Sequence, residues 1–166
     1  MTNDIQTSAE AMENAALPQA RVVHCDPGAR PTPEEMPLPA KVQEKPIEEK
    51  SPAEWAYERI ILYIKNFEEQ LDSEHEVAMG FAGSDTGVIR IEGMGFFAPD
   101  ILTFYGSDGS GLKTQLIQHV SQLNVALRAL PRLPDQPAHR IGFQLAADLG
   151  DTPPEAEPEP GSNGNS

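Results

Sequence analysis

All ten aromatic residues of this chain lie between Trp55 and Phe143, and neither flank contains one. Aromatic rings bring much of the apolar area around which a core condenses. Their confinement marks one folded domain, from about Ser51 to about Leu149, between tails (residues 1–50 and 150–166) that are not expected to fold alone. A domain of roughly a hundred residues can bury a core without metal or disulfide staples.

The single cysteine, Cys25, excludes an intramolecular disulfide and suits a reducing compartment. The opening Met1-Thr-Asn-Asp-Ile-Gln has no basic segment followed by an apolar run. No apolar stretch approaches the ~20 residues needed to span a bilayer. The expected setting is the cytoplasm. The net charge of −14 is shared by all three parts, which carry −4, −6 and −4 in order. Binding phosphate or anionic lipid needs clustered Lys or Arg. Nucleic acid and membrane surfaces are therefore not expected partners.

The N-terminal tail is punctuated by prolines, above all in Pro27-Gly-Ala-Arg-Pro31-Thr-Pro33-Glu-Glu-Met-Pro37-Leu-Pro39. Proline fixes φ and pushes its predecessor towards extended conformations, so this stretch reads as a polyproline-like linker. Ser8–Leu17 has the composition of a transient helix, and Pro153–Ser162 that of a disordered acidic tail. The Arg21-Val-Val-His24-Cys25 patch reads as an exposed thiol in a flexible chain.

Inside the domain, Ser51-Pro52-Ala53-Glu54 is a helix start, with a cap at Ser51, proline at the first turn and a capping-box glutamate. The helix should run to about Gln70. Ala53, Tyr57, Ile60, Ile61, Ile64, Phe67 and Leu71 form its apolar face. Trp55, Leu62 and Tyr63 lie off that stripe, and either meet a second surface or sit exposed as a dimer contact. From Glu76 the period becomes two, giving strands at Val77–Ala82, Val88–Glu92, Ile101–Tyr105 and Leu112–His119, joined by glycine-rich turns. Phe81-Ala-Gly-Ser-Asp and Phe104-Tyr-Gly-Ser-Asp repeat one turn chemistry. Phe96-Phe97-Ala98-Pro99 reads as a connection whose aromatics either fold back as core or form an apolar patch. A second helix is expected over Val120–Leu130, capped by Ser121, and a fifth strand over Arg140–Leu145. The order is α-β-β-β-β-α-β: an α+β domain in which a four-stranded antiparallel meander plus a fifth strand is covered on one face by two helices.

The segments Ser51-Pro-Ala-Glu-Trp-Ala-Tyr-Glu-Arg59, Pro99-Asp-Ile-Leu-Thr-Phe-Tyr-Gly106, Gln115-Leu-Ile-Gln-His-Val-Ser-Gln-Leu123 and Arg140-Ile-Gly-Phe143 span the whole inferred domain. Together they resemble a bacterial family of uncharacterised proteins, a domain of unknown function. The resemblance implies a small bacterial module and brings no activity to any residue.

The chemical motifs are thin. Gly106-Ser-Asp-Gly-Ser-Gly111-Leu112-Lys113-Thr114 resembles a phosphate loop, but Leu112 intervenes before the lysine and a strand follows where a helix is required. Asp85-Thr86-Gly87 spells the aspartic-protease tripeptide within an ordinary hairpin turn. His24, His75, His119 and His139 show no metal-ligand spacing, so neither metal nor cofactor is expected. The densest polar cluster is His119 with Ser121, and catalysis there would need a carboxylate such as Asp100 or Glu92 to orient the imidazole. No Gly-x-Ser-x-Gly elbow is present. The leading expectation is a non-enzymatic protein-binding or self-associating module, a homodimer with Trp55, Tyr63, Phe96 and Phe97 as contacts. The alternatives are a small hydrolase-like enzyme using His119 with Asp100 or Ser121, and an acidic secretion-type chaperone.

Overall fold

A computed structural model describes residues 19–85 and 87–150. The Ser8–Leu17 helix, the tail beyond Gly150 and Thr86 of the Asp-Thr-Gly turn lie outside them. Among the described residues, three α-helices, α1 (Ala40–Glu44), α2 (Pro52–Glu69) and α3 (Ile141–Asp148), accompany five strands. The strands are β1 (His75–Phe81), β2 (Val88–Phe97), β3 (Ile101–Ser107), β4 (Lys113–His119) and β5 (Val125–Pro131). No helix among the described residues is long and apolar enough to cross a membrane.

Helix α2 forms where its signals predict. Ser51 Oγ accepts the Glu54 amide at 3.2 Å, while the Glu54 carboxylate turns outward to Lys45 at 3.0 Å. Its buried stripe of Ala53, Ala56, Tyr57, Ile60, Ile61 and Ile64 packs on one face of the sheet. Opposite it stand Val77, Met79, Phe81, Ile89, Ile91, Leu102 and Phe104. Phe81 and Phe104 meet edge to face, with centroids 4.9 Å apart. Burying each of the larger side chains contributes roughly 1.5–3 kcal/mol, so this single layer between α2 and the sheet holds the fold.

The sheet is antiparallel throughout, in the order β4-β3-β2-β1-β5. A bulge between Ile91 and Gly93 shifts the β2–β3 register, and β2 runs on through Gly93 and Gly95 to Phe97. Phe96 and Phe97, expected in a connection, are therefore strand residues on opposite faces. Gly106 is obligatory: a Cβ there would lie 2.0 Å from the Arg90 carbonyl oxygen. β1 and β2 pair only at Met79↔Ile89 and Gly80↔Val88. Below that point they diverge, and α3 packs against β2.

The last two elements exchange their expected places. Val120–Leu130, read as a helix, is a short 3-10 turn (Val120–Gln122) followed by β5, and Arg140–Leu145, read as a strand, opens α3. The five antiparallel strands and the helices on one face are as expected; the order at the C-terminal end is not. Ala, Leu and Arg are good helix formers, but propensity is a weak determinant that tertiary pairing overrides, and the open edge of β1 offers Val125–Pro131 seven paired positions. Ile141, Ala146 and Leu149 fill one buried helical stripe instead.

Six Cα steps from His119 to Val125 span at most about 20–22 Å. A flat sheet would separate these points by four strand spacings, about 19 Å, and also by most of a strand length along the other direction. The sheet must therefore coil, and Val120 and Leu123 pack into the core as the chain crosses it.

The segment before Ser51, expected as an unfolded linker, packs over its described part. Leu38 and Val42 join the core cluster, with Val42 buried. The prolines produce short turns rather than one polyproline helix. Thr32-Pro33-Glu34-Glu35 makes a 3-10 turn in which the Thr32 amide donates to the Glu35 carboxylate at 3.0 Å.

Candidate functional site

The register of the β3–β4 hairpin sets Ile101 opposite His119, and so carries Asp100 alongside it. Asp100 Oδ2 lies 3.1 Å from His119 Nε2, and Ser121 Oγ lies 2.7 Å from His119 Nδ1. All three expected catalytic candidates are thus brought together. The Ser121 amide also donates to Nδ1, at 3.1 Å. A backbone amide can only donate, so Nδ1 is the unprotonated nitrogen and Nε2 carries the proton shared with Asp100. Ser121 does not cap a helix as expected; His119 caps the 3-10 turn, and its own amide donates to Gln122 Oε1 at 3.1 Å. The Asp100 and His119 side chains are 42% and 46% exposed.

The four expected contact aromatics separate onto different surfaces. Phe96 faces the α2 side, its ring centroid 5.1 Å from that of Tyr57, but stays 39% exposed. Phe97 turns outward and is 77% exposed. Cross-strand partners share a face, so the register builds the outer surface row by row. Phe97, Ile101 and His119 form one row, Gly95, Thr103 and Ile117 the next, and Gly93, Tyr105 and Gln115 the third. Ile117 is 63% exposed, and among the described residues β4 ends the sheet with its outer edge unpaired. The sequence reading missed Ile117 and Tyr105; strict alternation in two strands with one buried face was the signal that points to them.

Trp55 and Tyr63 lie on the side of α2 turned away from the sheet, and the segment before Ser51 engages both. Tyr63 donates to the Glu34 carboxylate. Burial, reinforced by that carboxylate, pushes the phenol up to about 12. The Trp55 ring lies between the Arg59 guanidinium, 4.6 Å from its centroid, and the Lys50 ammonium, 5.1 Å away.

The buried charges have structural partners. Lys50 Nζ donates to Glu58 Oε2 at 2.9 Å and to the Val42 carbonyl, with side chains 1% and 7% exposed. Glu76 accepts from Arg90 at 2.7 Å and from the His139 amide at 2.9 Å. Glu68 reaches from α2 to the start of α3, where both its oxygens lie 3.1 Å from the Gly142 amide. Burial raises its pKa despite those amide bonds and the charge of Arg140. Gly142 makes this approach feasible, because a Cβ there would sit 2.9 Å from the Lys65 Cα.

In the glycine-rich loop before β4, Asp108 Oδ1 accepts the amides of Ser110 and Leu112, each at 2.9 Å. A side-chain carboxylate thus takes the amides that a phosphate would need. Cys25 is exposed and free. Among the described residues no three of His, Cys, Asp and Glu gather as metal ligands.

Residues 46–144 match a family of unknown function, DUF6173, and the chain belongs to that family. No curated protein and no solved structure matches it.

Proposed function

We propose that this domain is a non-enzymatic, self-associating protein-binding module that works through the outer face of β2, β3 and β4. The observation that carries this reading is the exposure of Phe97 (77%) and Ile117 (63%) in adjacent rows beside an unpaired edge strand. Large exposed side chains in a contiguous patch mark association surfaces, and folded proteins normally blunt a free strand edge with charge. Leu112–His119 contains no acidic residue in a chain of net charge −14, so like-charge repulsion between copies is low along this edge. The occupant is a second copy, whose β4 pairs antiparallel with the first about a two-fold axis. The single free cysteine supports a cytoplasmic setting. Light scattering on the full chain tests this reading: the wild type runs as a dimer and Phe97→Ser/Ile117→Lys as a folded monomer. A wild-type monomer at ~100 μM, or a dimer indifferent to the substitutions, refutes it.

One observation favours a second reading, a hydrolase-like site: the Asp100–His119–Ser121 chain of hydrogen bonds, in which the serine hydroxyl faces an unprotonated imidazole nitrogen. Its weakness is chemical, because Nδ1 already accepts the Ser121 amide and the group lies open to water. Esterase turnover abolished by both Ser121→Ala and His119→Ala, with the dimer intact, would favour it over the first.

A further inference from the structure

The outward side of α2 is a groove with a ligand already in it. Trp55, Arg59, Leu62 and Tyr63 line a concavity of about 240 Å³ that adjoins a second of about 250 Å³ reaching Asn66. Pro33 and Leu38 are walls of both, so these volumes are the space left open between α2 and the segment lying along it. The seated segment is held by its backbone and by one acid. Asn66 Nδ2 donates to the Pro31 carbonyl at 2.9 Å, and Tyr63 donates to Glu34. Aromatic rings sharing a concavity with a proline, a side-chain amide on a proline carbonyl and a phenol donating to a carboxylate together make a peptide-recognition surface.

We infer that this groove is a docking site for acidic proline-rich peptides, occupied in cis by the chain's own Pro31–Pro39. The groove residues fall within residues 46–144, the part matching the family, whereas the seated segment falls outside it. The ligand is a short kinked one: extended residues at Thr32 and Met36 flank the turn at Pro33–Glu35. Its carboxylate at the second turn position meets Tyr63, beside Arg59 on the same face of α2. Leu38 packs against the core, while the other contacts holding the segment are polar and peripheral, unlike the buried anchors Val42 and Lys50 that follow. The segment can therefore leave the groove by giving up the Leu38 contact while the Val42 and Lys50 anchors hold.

Trp55 is the only tryptophan of the chain, so its emission reports groove occupancy directly. The experiment uses the full chain, its Leu38→Asp variant and a synthetic peptide of residues 27–45. Leu38→Asp should shift Trp55 emission to the red with unchanged far-UV dichroism, and the peptide should reverse the shift saturably. A tethered segment at ~1 mM effective concentration raises the apparent constant of a ~0.1 mM competitor about tenfold. The wild type, already occupied, should show no shift, and should bind the same peptide carrying a fluorescent label about ten times more weakly than the variant does. Should Leu38→Asp lose its fold, Glu34→Lys carries the same test, since it breaks the Tyr63 contact without removing a core atom. An unshifted emission in the folded variant, or a shifted one that millimolar peptide leaves unchanged, overturns the inference. Neither result bears on the outer sheet face, which lies on the other side of the sheet.

Discussion

Lys50→Met tests whether a buried ion pair fastens the N-terminal segment to α2. Methionine keeps the aliphatic length of lysine and deletes its charge. It leaves the Glu58 carboxylate, 7% exposed, without the cation now 2.9 Å away, and strips a donor from the Val42 carbonyl. Removing one partner of a buried pair costs about 3–5 kcal/mol, whereas replacing both by apolar groups is near neutral. Against a total stability of about 5–15 kcal/mol, the single change removes a large fraction. With a urea m-value of about 1–3 kcal/mol/M, the midpoint should fall by roughly 1–5 M. The double change Lys50→Met/Glu58→Met should recover to within about 1 kcal/mol of wild type. Urea titration followed by Trp55 emission and far-UV dichroism reads both, because the ammonium sits over that ring. A single-variant loss below about 1 kcal/mol, or a double variant as weak as the sum of its parts, would refute the reasoning.

Two further outcomes follow from the packing. Burial holds Glu68 above the ordinary carboxylate range, so its contribution is fully present below the unfolded value of about 4.3 and is lost as pH rises through the raised folded value. Glu68→Gln keeps an acceptor for the Gly142 amide without the charge. The stability of this variant relative to wild type should increase from pH 4 to pH 7 in urea titrations, and a flat difference would contradict the assignment. Gly106→Ala drives a Cβ to 2.0 Å from the Arg90 carbonyl oxygen; backbone cannot yield as a side chain does, so the β2–β3 pairing should break at a cost of more than about 3 kcal/mol. Retained wild-type thermal stability would show that the strands can separate there freely.

The elements written in purely local terms were legible in the sequence. Ser51-Pro-Ala-Glu started α2 where expected, and alternation with glycine turns located four strands. Thr32-Pro-Glu-Glu carries the same signature as Ser51-Pro-Ala-Glu and produced a turn by the same chemistry, obscured by the surrounding prolines. The C-terminal exchange was not local. Val125–Pro131 becomes a strand because β1 offers it an edge, and Gly142, a poor helix former, sits in α3 because the helix must approach Lys65 and Glu68. Of the candidate site, His119 and Ser121 were adjacent on paper, while Asp100 joined them through hairpin register. Lys50, in a run of charges that reads as solvated, gave no sign of being buried.

The carboxylates of Glu68 and Glu76 find their amide partners 74 and 63 residues later in the chain, at Gly142 and His139. During synthesis Glu76 can meet Arg90 early, but Glu68 must stay hydrated until almost the entire domain has left the ribosome, and the edge of β1 stays open until residues 125–131 emerge. Residues 125–150 thus act as the domain's latch. A ribosome that stalls before them releases not a slightly shortened protein but one with a stranded carboxylate at Glu68 and a bare strand edge, the kind of chain that aggregates or is degraded.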